Sequence, residues 1–256
     1  MPGVVHCEPI GQTVVWRLEN PKKNNALDPA MLDDLARLAE QVERDRAVRA
    51  VILTGTGERA FCAGADIAAW GSLDAVDFMR RWIGSGHLVF DRLAGLPTPV
   101  IGALRGCVFG GGLELAAICN VRVASPDAVF ALPEATIGVT PGWSGAQRVA
   151  RLMPQPLLRE MALTGGRLTA DRLCQVGFIN EIANTPMDRA LAIAERIAEL
   201  APRAVDATKL VLNAALGEAR EQAIDRLAAG LVAATSDKAE GVQSFLEKRK
   251  PRFSGD

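Results

Sequence analysis

Two glutamates and two glycine turns are the parts of this sequence whose types and spacing could do chemistry. Glu114 follows three consecutive glycines (110–112) in GGGLELAAIC, among apolar neighbours. Glu134 follows an apolar run and a proline in FALPEATIG. Two carboxyl groups in a partly dry site are pushed to different pKa values, so that one takes a proton while the other holds or supplies one. A carboxylate near a helix start is often a solvent-facing group that complements the dipole; the apolar surroundings of Glu114 argue against that. The turns are TGTGERAFCAGADI (54–67) and RGCVFGGGLELA (105–116). Small residues there let backbone approach a bound group closely, or adopt positive φ. The second turn runs straight into a helix, whose first N–H groups lack intrahelical partners and carry the positive end of the dipole. Such backbone can hold a phosphate or the negative oxygen that develops on a carbonyl. Two tight turns without a ligand remain the plainer alternative.

Other patterns carry less. GTGERA (55–60) matches the GxGxxA part of a dinucleotide fingerprint. The following FCAGAD does not continue as a helix, and Asp74 and Asp77 sit in a helical pattern rather than at a strand end. PGWSGA (141–146) resembles a serine nucleophile elbow, but the GxSxG spacing fails. The only histidines are His6 and His87, and the five cysteines (7, 62, 107, 119 and 174) form no CxxC, so no metal site is expected. The cysteines read as free thiols of a reducing compartment. His87, alone in a helical stretch, reads as structural or exposed. Trp70, Trp82 and Trp143 could line an apolar pocket, with ordinary core packing as the alternative.

These residues must be positioned by a framework of alternating elements. TVVWRLE (13–19) reads as a strand. Asp28 and Pro29 then suit the cap and first turn of a helix, with an apolar face at Met31, Leu32, Leu35, Leu38, Ala39 and Val42. RAVILT (49–54) and PVIGAL (99–104) read as buried strands with a helix over 73–93 between them, and 121–124, 128–132 and 178–182 as further strands. Helices are expected over 145–152 and 157–163, after Thr169, and throughout from residue 187. The pattern predicts an α/β fold with mostly parallel pairing and no strand beyond about residue 182. We place an α/β core at 1–186 and an all-helical region at 187–256.

A chain of 256 residues with 49% hydrophobic content supports one large core. Its net charge of -1 argues against a nucleic-acid binder. MPGVVHCEPIGQ lacks the features of a signal peptide, and no apolar stretch is long enough to span a membrane, so a soluble cytoplasmic protein is expected.

Six stretches in order resemble the enoyl-CoA hydratase/isomerase (crotonase) superfamily: NPKKNNALDPAML (20–32), VILTGTGERAFCAGADI (51–67), PTPVIGALRGCVFGGGLELAAICN (97–120), FALPEATIGVTPGWSGAQRVARLM (130–153), ALTGGRLTADRLCQVGFINEI (162–182) and FLEKRKPRF (245–253). The resemblance implies a spiral of ββα turns with a C-terminal α-helical trimerisation region, and homotrimers commonly paired into hexamers. It implies an oxyanion hole from the N–H groups of Ala65 and Gly111, catalysis by Glu114 and Glu134, and a water- or loop-positioning place for Gly142. Lys22, Ala63, Ala65 and Ile67 match CoA-facing positions; Phe245 and Lys248 match positions that reach a CoA in a neighbouring subunit. Both glutamates are present and the dehalogenase aspartate is replaced by Gly142, so the likeness is greatest to the enoyl-CoA hydratases, which add water reversibly to a trans-2-enoyl-CoA. An isomerase or a specialised acyl-CoA dehydratase or lyase is the alternative. No cofactor is implied beyond the coenzyme A that the substrate carries. Two departures stand out: Cys119–Asn120 where CD is common, and GWSGAQR (142–148) where GxGGTQR is common.

Overall fold

The apolar runs at 50–55, 100–104 and 121–124 are each followed within a few residues by a second, short strand, and the two strands of each such pair join different sheets. The computed structural model describes residues 2–256. Its strands are β1 (Val4–Ile10), β2 (Thr13–Glu19), β3 (Ala50–Gly55), β4 (Ala60–Cys62), β5 (Val100–Leu104), β6 (Cys107–Phe109), β7 (Val121–Ala124), β8 (Val129–Ala131), β9 (Arg167–Thr169) and β10 (Glu181–Ile182). A six-stranded sheet has the order β1-β2-β3-β5-β7-β10, and a four-stranded sheet the order β4-β6-β8-β9. Pairing is parallel except for β1 with β2 and β8 with β9. The pairs β3/β4, β5/β6 and β7/β8 are thus successive turns of one spiral, each closed by helix. This is the crotonase-like α/β architecture the resemblance implies.

The spiral decides what the turns can do. Because β4 and β6 are parallel neighbours, the chain leaving β4 (Ala63–Ala65) and the chain leaving β6 (Gly110–Gly111) emerge side by side. Each glycine turn is therefore brought against the other by sheet pairing.

The first long helix, Pro29–Arg44, forms as its sequence predicts. Asp28 Oδ1 accepts from the Met31 amide at 3.0 Å, and the six apolar positions of its face are all buried. A second helical stretch differs from the expected single helix over 73–93. It begins at Ala75–Asp77, passes through a π-helical segment Phe78–Ile83 and continues as Gly84–Ala94. Such a segment shifts side chains relative to regular helical phase and is frequent at functional sites.

One face of the larger sheet buries Val15, Ala50, Ile52, Ile101 and Ala103 together with Ala190 and Ala194 of the helix Pro186–Ala198. That helix, placed by sequence in the C-terminal region, covers the sheet. By compactness the chain forms two units, one ending at Asp206 and the other spanning 207–256. The second unit carries the helices Arg220–Ala233 and Ser236–Leu246. Among the described residues no helix is long and apolar enough to cross a membrane.

Candidate active site

The backbone amides of Ala65 and Gly111 are freed by two different devices. At Ala65 an isolated parallel bridge joins Leu27. Leu27 N–H donates to the Gly64 carbonyl and Asp66 N–H to the Leu27 carbonyl, both at 2.8 Å. The bridge thus uses the residues on either side of Ala65 and leaves its own amide unused. At Gly111 the amide is free because it opens the helix Gly111–Ile118 and has no intrahelical acceptor. Among the described residues neither amide donates to a protein acceptor. The two nitrogens lie close: a Cβ built on Gly111 would sit 3.5 Å from the Ala65 nitrogen, and one on Gly64 would sit 3.5 Å from the Gly111 nitrogen.

Both glutamates reach the same cavity. Its volume is about 180 Å³, and Ala63, Ala65, Ile67, Gly111, Glu114, Glu134 and Gly142 all line it. Trp70, Phe78, Trp82, Ile83 and Trp143 supply much of its apolar wall. Lys22 lies elsewhere, exposed in the short 3-10 turn Pro21–Lys23. Phe245 and Lys248 belong to the second unit, where both are exposed.

Glu114 is 2% exposed. Its Oε1 accepts from the Trp143 amide at 2.9 Å and from the Gly145 amide at 2.7 Å. Burial pushes its carboxyl up to about 7; the two N–H donors and the Arg148 guanidinium oppose this, while the nearby Glu134 adds to it. Gly145 is required by the approach: a Cβ there would lie 1.9 Å from Glu114 Cγ. Glu134 opens the 3-10 turn Glu134–Ile137. Burial raises its pKa too, and its Oε2 is buried without a hydrogen-bond partner. Gly110 makes room for it. Its φ of 52° favours glycine, and a Cβ there would sit 3.0 Å from Glu134 Oε1.

The departures in the sequence acquire places here. Asn120 Oδ1 accepts from the Val100 amide at 2.9 Å, a bond that an amide oxygen can accept in the place of a carboxylate oxygen. Trp143 is buried with its ring centroid 5.2 Å from Trp82 and 5.1 Å from Phe90. His87, expected to be structural or exposed, is half-buried beside Ser144. Sequence reasoning missed the Trp143 and Gly145 amides that hold Glu114. The glycine-rich spacing of 141–146 marked that loop, but nothing in it pointed to Glu114.

The arrangement offers two converging N–H donors and two elevated carboxyls around one largely apolar cavity. It can stabilise negative charge on an oxygen while moving protons at neighbouring atoms.

Known proteins match both sequence and fold. Residues 11–256 match the family model described as enoyl-CoA hydratase/isomerase. A short-chain-enoyl-CoA hydratase of Clostridium acetobutylicum is 35% identical over 250 residues, covering 96% of this chain and 95% of its own. The mitochondrial enoyl-CoA hydratase of Pongo abelii is 37% identical over 246 residues, covering 93% of this chain and 82% of its own. A solved enoyl-CoA hydratase structure from Bacillus anthracis superposes with a TM-score of 0.81 at 31% identity, covering 98% of this chain and 99% of that one. The chain belongs to the enoyl-CoA hydratase/isomerase family.

Proposed function

We propose that this enzyme is an enoyl-CoA hydratase whose reaction is carried by Ala65, Gly111, Glu114 and Glu134. The observation that carries the reading is the convergence of two unused amides and two elevated carboxyls on one cavity. The thioester oxygen of a trans-2-enoyl-CoA lies between the amides of Ala65 and Gly111. These donors strengthen as enolate-like charge grows; one such donor is worth roughly 100- to 1,000-fold in rate in a well-studied protease. A water sits between the carboxyl groups. Glu114, held by two amides, orients and activates it. Glu134, with an oxygen that has no protein partner, exchanges the proton with the water or at C2. The hydroxyl adds at C3 and the proton at C2, giving a 3-hydroxyacyl-CoA, and the reverse is equally allowed. The step is redox-neutral, and the substrate brings its own coenzyme A. The two carboxyls titrate as a coupled pair.

Ala63 and Ile67 flank the amide pair, and Gly142 lies on the loop that positions the water. Lys22 is proposed to meet the CoA, with Phe245 and Lys248 reaching a CoA in a neighbouring subunit of a homotrimer or hexamer. The exposed apolar residues Leu231 and Phe245 support an assembling surface on the second unit. A monomer in sedimentation at micromolar concentration would contradict that assembly.

The deciding experiment is a panel of 2-enoyl- and 3-enoyl-CoAs, short to long. Hydration is read as loss of the absorbance of the conjugated thioester on 2-enoyl substrates. A gain of that absorbance from 3-enoyl-CoA, with no hydration of 2-enoyl-CoA, would replace the hydratase by an isomerase.

A further inference from the structure

Ser144 stands between the two amides that hold Glu114, and its surroundings are unusual for its place. Its φ is 66°, a left-handed conformation that side-chain-bearing residues avoid, yet it is buried. Its Oγ lies 3.0 Å from each ring nitrogen of His87 and donates to Asp91 Oδ1 at 3.2 Å. The same Asp91 Oδ1 accepts from Arg148 Nη2 at 2.6 Å. One carboxylate on the helix Gly84–Ala94 therefore grips the helix Gly145–Leu152 twice, at the residue before it and one turn in. Ser144, His87 and Asp91 are the residue types of a hydrolytic triad, but the geometry is different. The serine reaches the aspartate directly, and His87 Nε2 meets Asp91 Oδ2 at 3.2 Å without standing between the two.

We propose that Asp91 is a positioning residue: by holding the Ser144 hydroxyl and the Arg148 guanidinium it keeps the 143–145 backbone in the one conformation that aims two amides at Glu114. The path is continuous from Asp91 to Ser144, from Ser144 to the flanking amides of Trp143 and Gly145, and from these to Glu114 Oε1. Releasing Asp91 frees Ser144 to leave its left-handed conformation, and the peptide groups on both sides turn with it. This proposal rests on the role given to Glu114 above. The ionisable groups that face Glu114 are Glu134 and Arg148, and those that face Asp91 are His87 and Arg148.

The test compares wild type, Asp91→Asn, Asp91→Ala and Ser144→Gly, with each variant also made in a His87→Gln background so that the imidazole contact to Ser144 is removed from the comparison. Rate against pH is measured with a 2-enoyl-CoA, alongside acyl-CoA affinity. In Asp91→Ala, kcat should fall about 10- to 100-fold with affinity within about 3-fold. The pH limb of the carboxyl pair should move up by about half a unit or more, because two N–H donors no longer favour the charged Glu114. Asp91→Asn, which keeps an acceptor oxygen, should restore most of the wild-type limb, and Ser144→Gly should lie between. Thermal unfolding between pH 5 and 8 reads the same proton without substrate. If the wild type hydrates nothing, the assigned reaction fails, and the unfolding series still decides the positioning role. An Asp91→Ala enzyme whose pH limb and unfolding profile match those of the parent, whatever its kcat, overturns the proposal.

Discussion

Glu114 stands on a helix in which every residue from Gly111 to Ile118 is buried, whereas Glu134 opens a short turn whose next residues, Ala135 to Ile137, are exposed. Glu114 has both amide donors on one oxygen; Glu134 has a buried oxygen with none. One wall of the cavity is therefore built to fix a carboxyl and the other to leave one available. Fixing costs solvation, which is why burial leads the causes that push Glu114 up. Availability suits a group that must take and return a proton with little rearrangement. The difference teaches that two chemically identical side chains are separated into roles by what the backbone around them supplies.

The strongest way to break this comparison is to remove each proton in turn. Glu134→Gln and Glu114→Gln should each lower kcat for hydration by about 10²- to 10⁴-fold, the usual range for a lost acid–base group. Acyl-CoA dissociation constants should stay within about 3-fold, since neither carboxyl supplies the amide pair. Wild-type-like turnover in either variant would remove that residue from the mechanism.

A second measurement needs no substrate. The folded pKa of Glu114 is raised from 4.5 to about 7. Between those values the folded state binds more protons than the unfolded state, so stability falls as pH rises through the window. The change is about 3 kcal/mol, at 1.36 kcal/mol per pKa unit. Glu114→Gln should abolish most of that slope and be more stable relative to wild type at pH 8 than at pH 5, read by chemical denaturation at both. Glu134→Gln should move the profile in the same direction. An unchanged slope in Glu114→Gln would mean that burial does not set its protonation.

Much of this was legible in the residues. The Pro29–Arg44 helix was, because a proper cap and a helical period of apolar residues agree over sixteen positions. So were β2, with its dense β-branched and aromatic residues, and the helix Gly145–Leu152. Most of the smaller sheet was not. β4, β6 and β9 have three residues each, too few for any period to show, and the first two merge into the glycine turns that follow them. β1 was missed because five of its last residues face solvent in a row, so no alternation marks it. The π-helical segment has no residue signature at all. At the site, the glutamates and glycine turns announced themselves by chemical type. The amides of Trp143 and Gly145 could not, since every residue but proline has such a donor. The Ser144–Asp91 contact spans 53 residues and two helices, a juxtaposition only tertiary structure creates.

The comparison between the two walls can be sharpened with a pair of glycines. Gly145 abuts the fixed wall: a Cβ there would fall 1.9 Å from Glu114 Cγ and 2.4 Å from its Oε1. That side chain is buried and doubly tethered, so it cannot yield, and Gly145→Ala should cost about 1–3 kcal/mol of stability as overpacking. Because the displaced atoms belong to Glu114, kcat should also fall, by about 10-fold or more. Gly138 ends the available wall, with φ 76° and nothing within 4 Å of its Cβ direction. Gly138→Ala therefore meets only backbone strain, about 1–2 kcal/mol. Glu134 begins the same turn, four residues earlier, and Val139 N–H donates to its carbonyl at 3.1 Å. If that wall truly tolerates movement, Gly138→Ala should keep kcat within about 3-fold despite its lower melting temperature. Stability and rate should thus fall together on the Glu114 side and separately on the Glu134 side. A Gly138→Ala enzyme that loses rate as steeply as Gly145→Ala would show that both carboxyls are equally fixed.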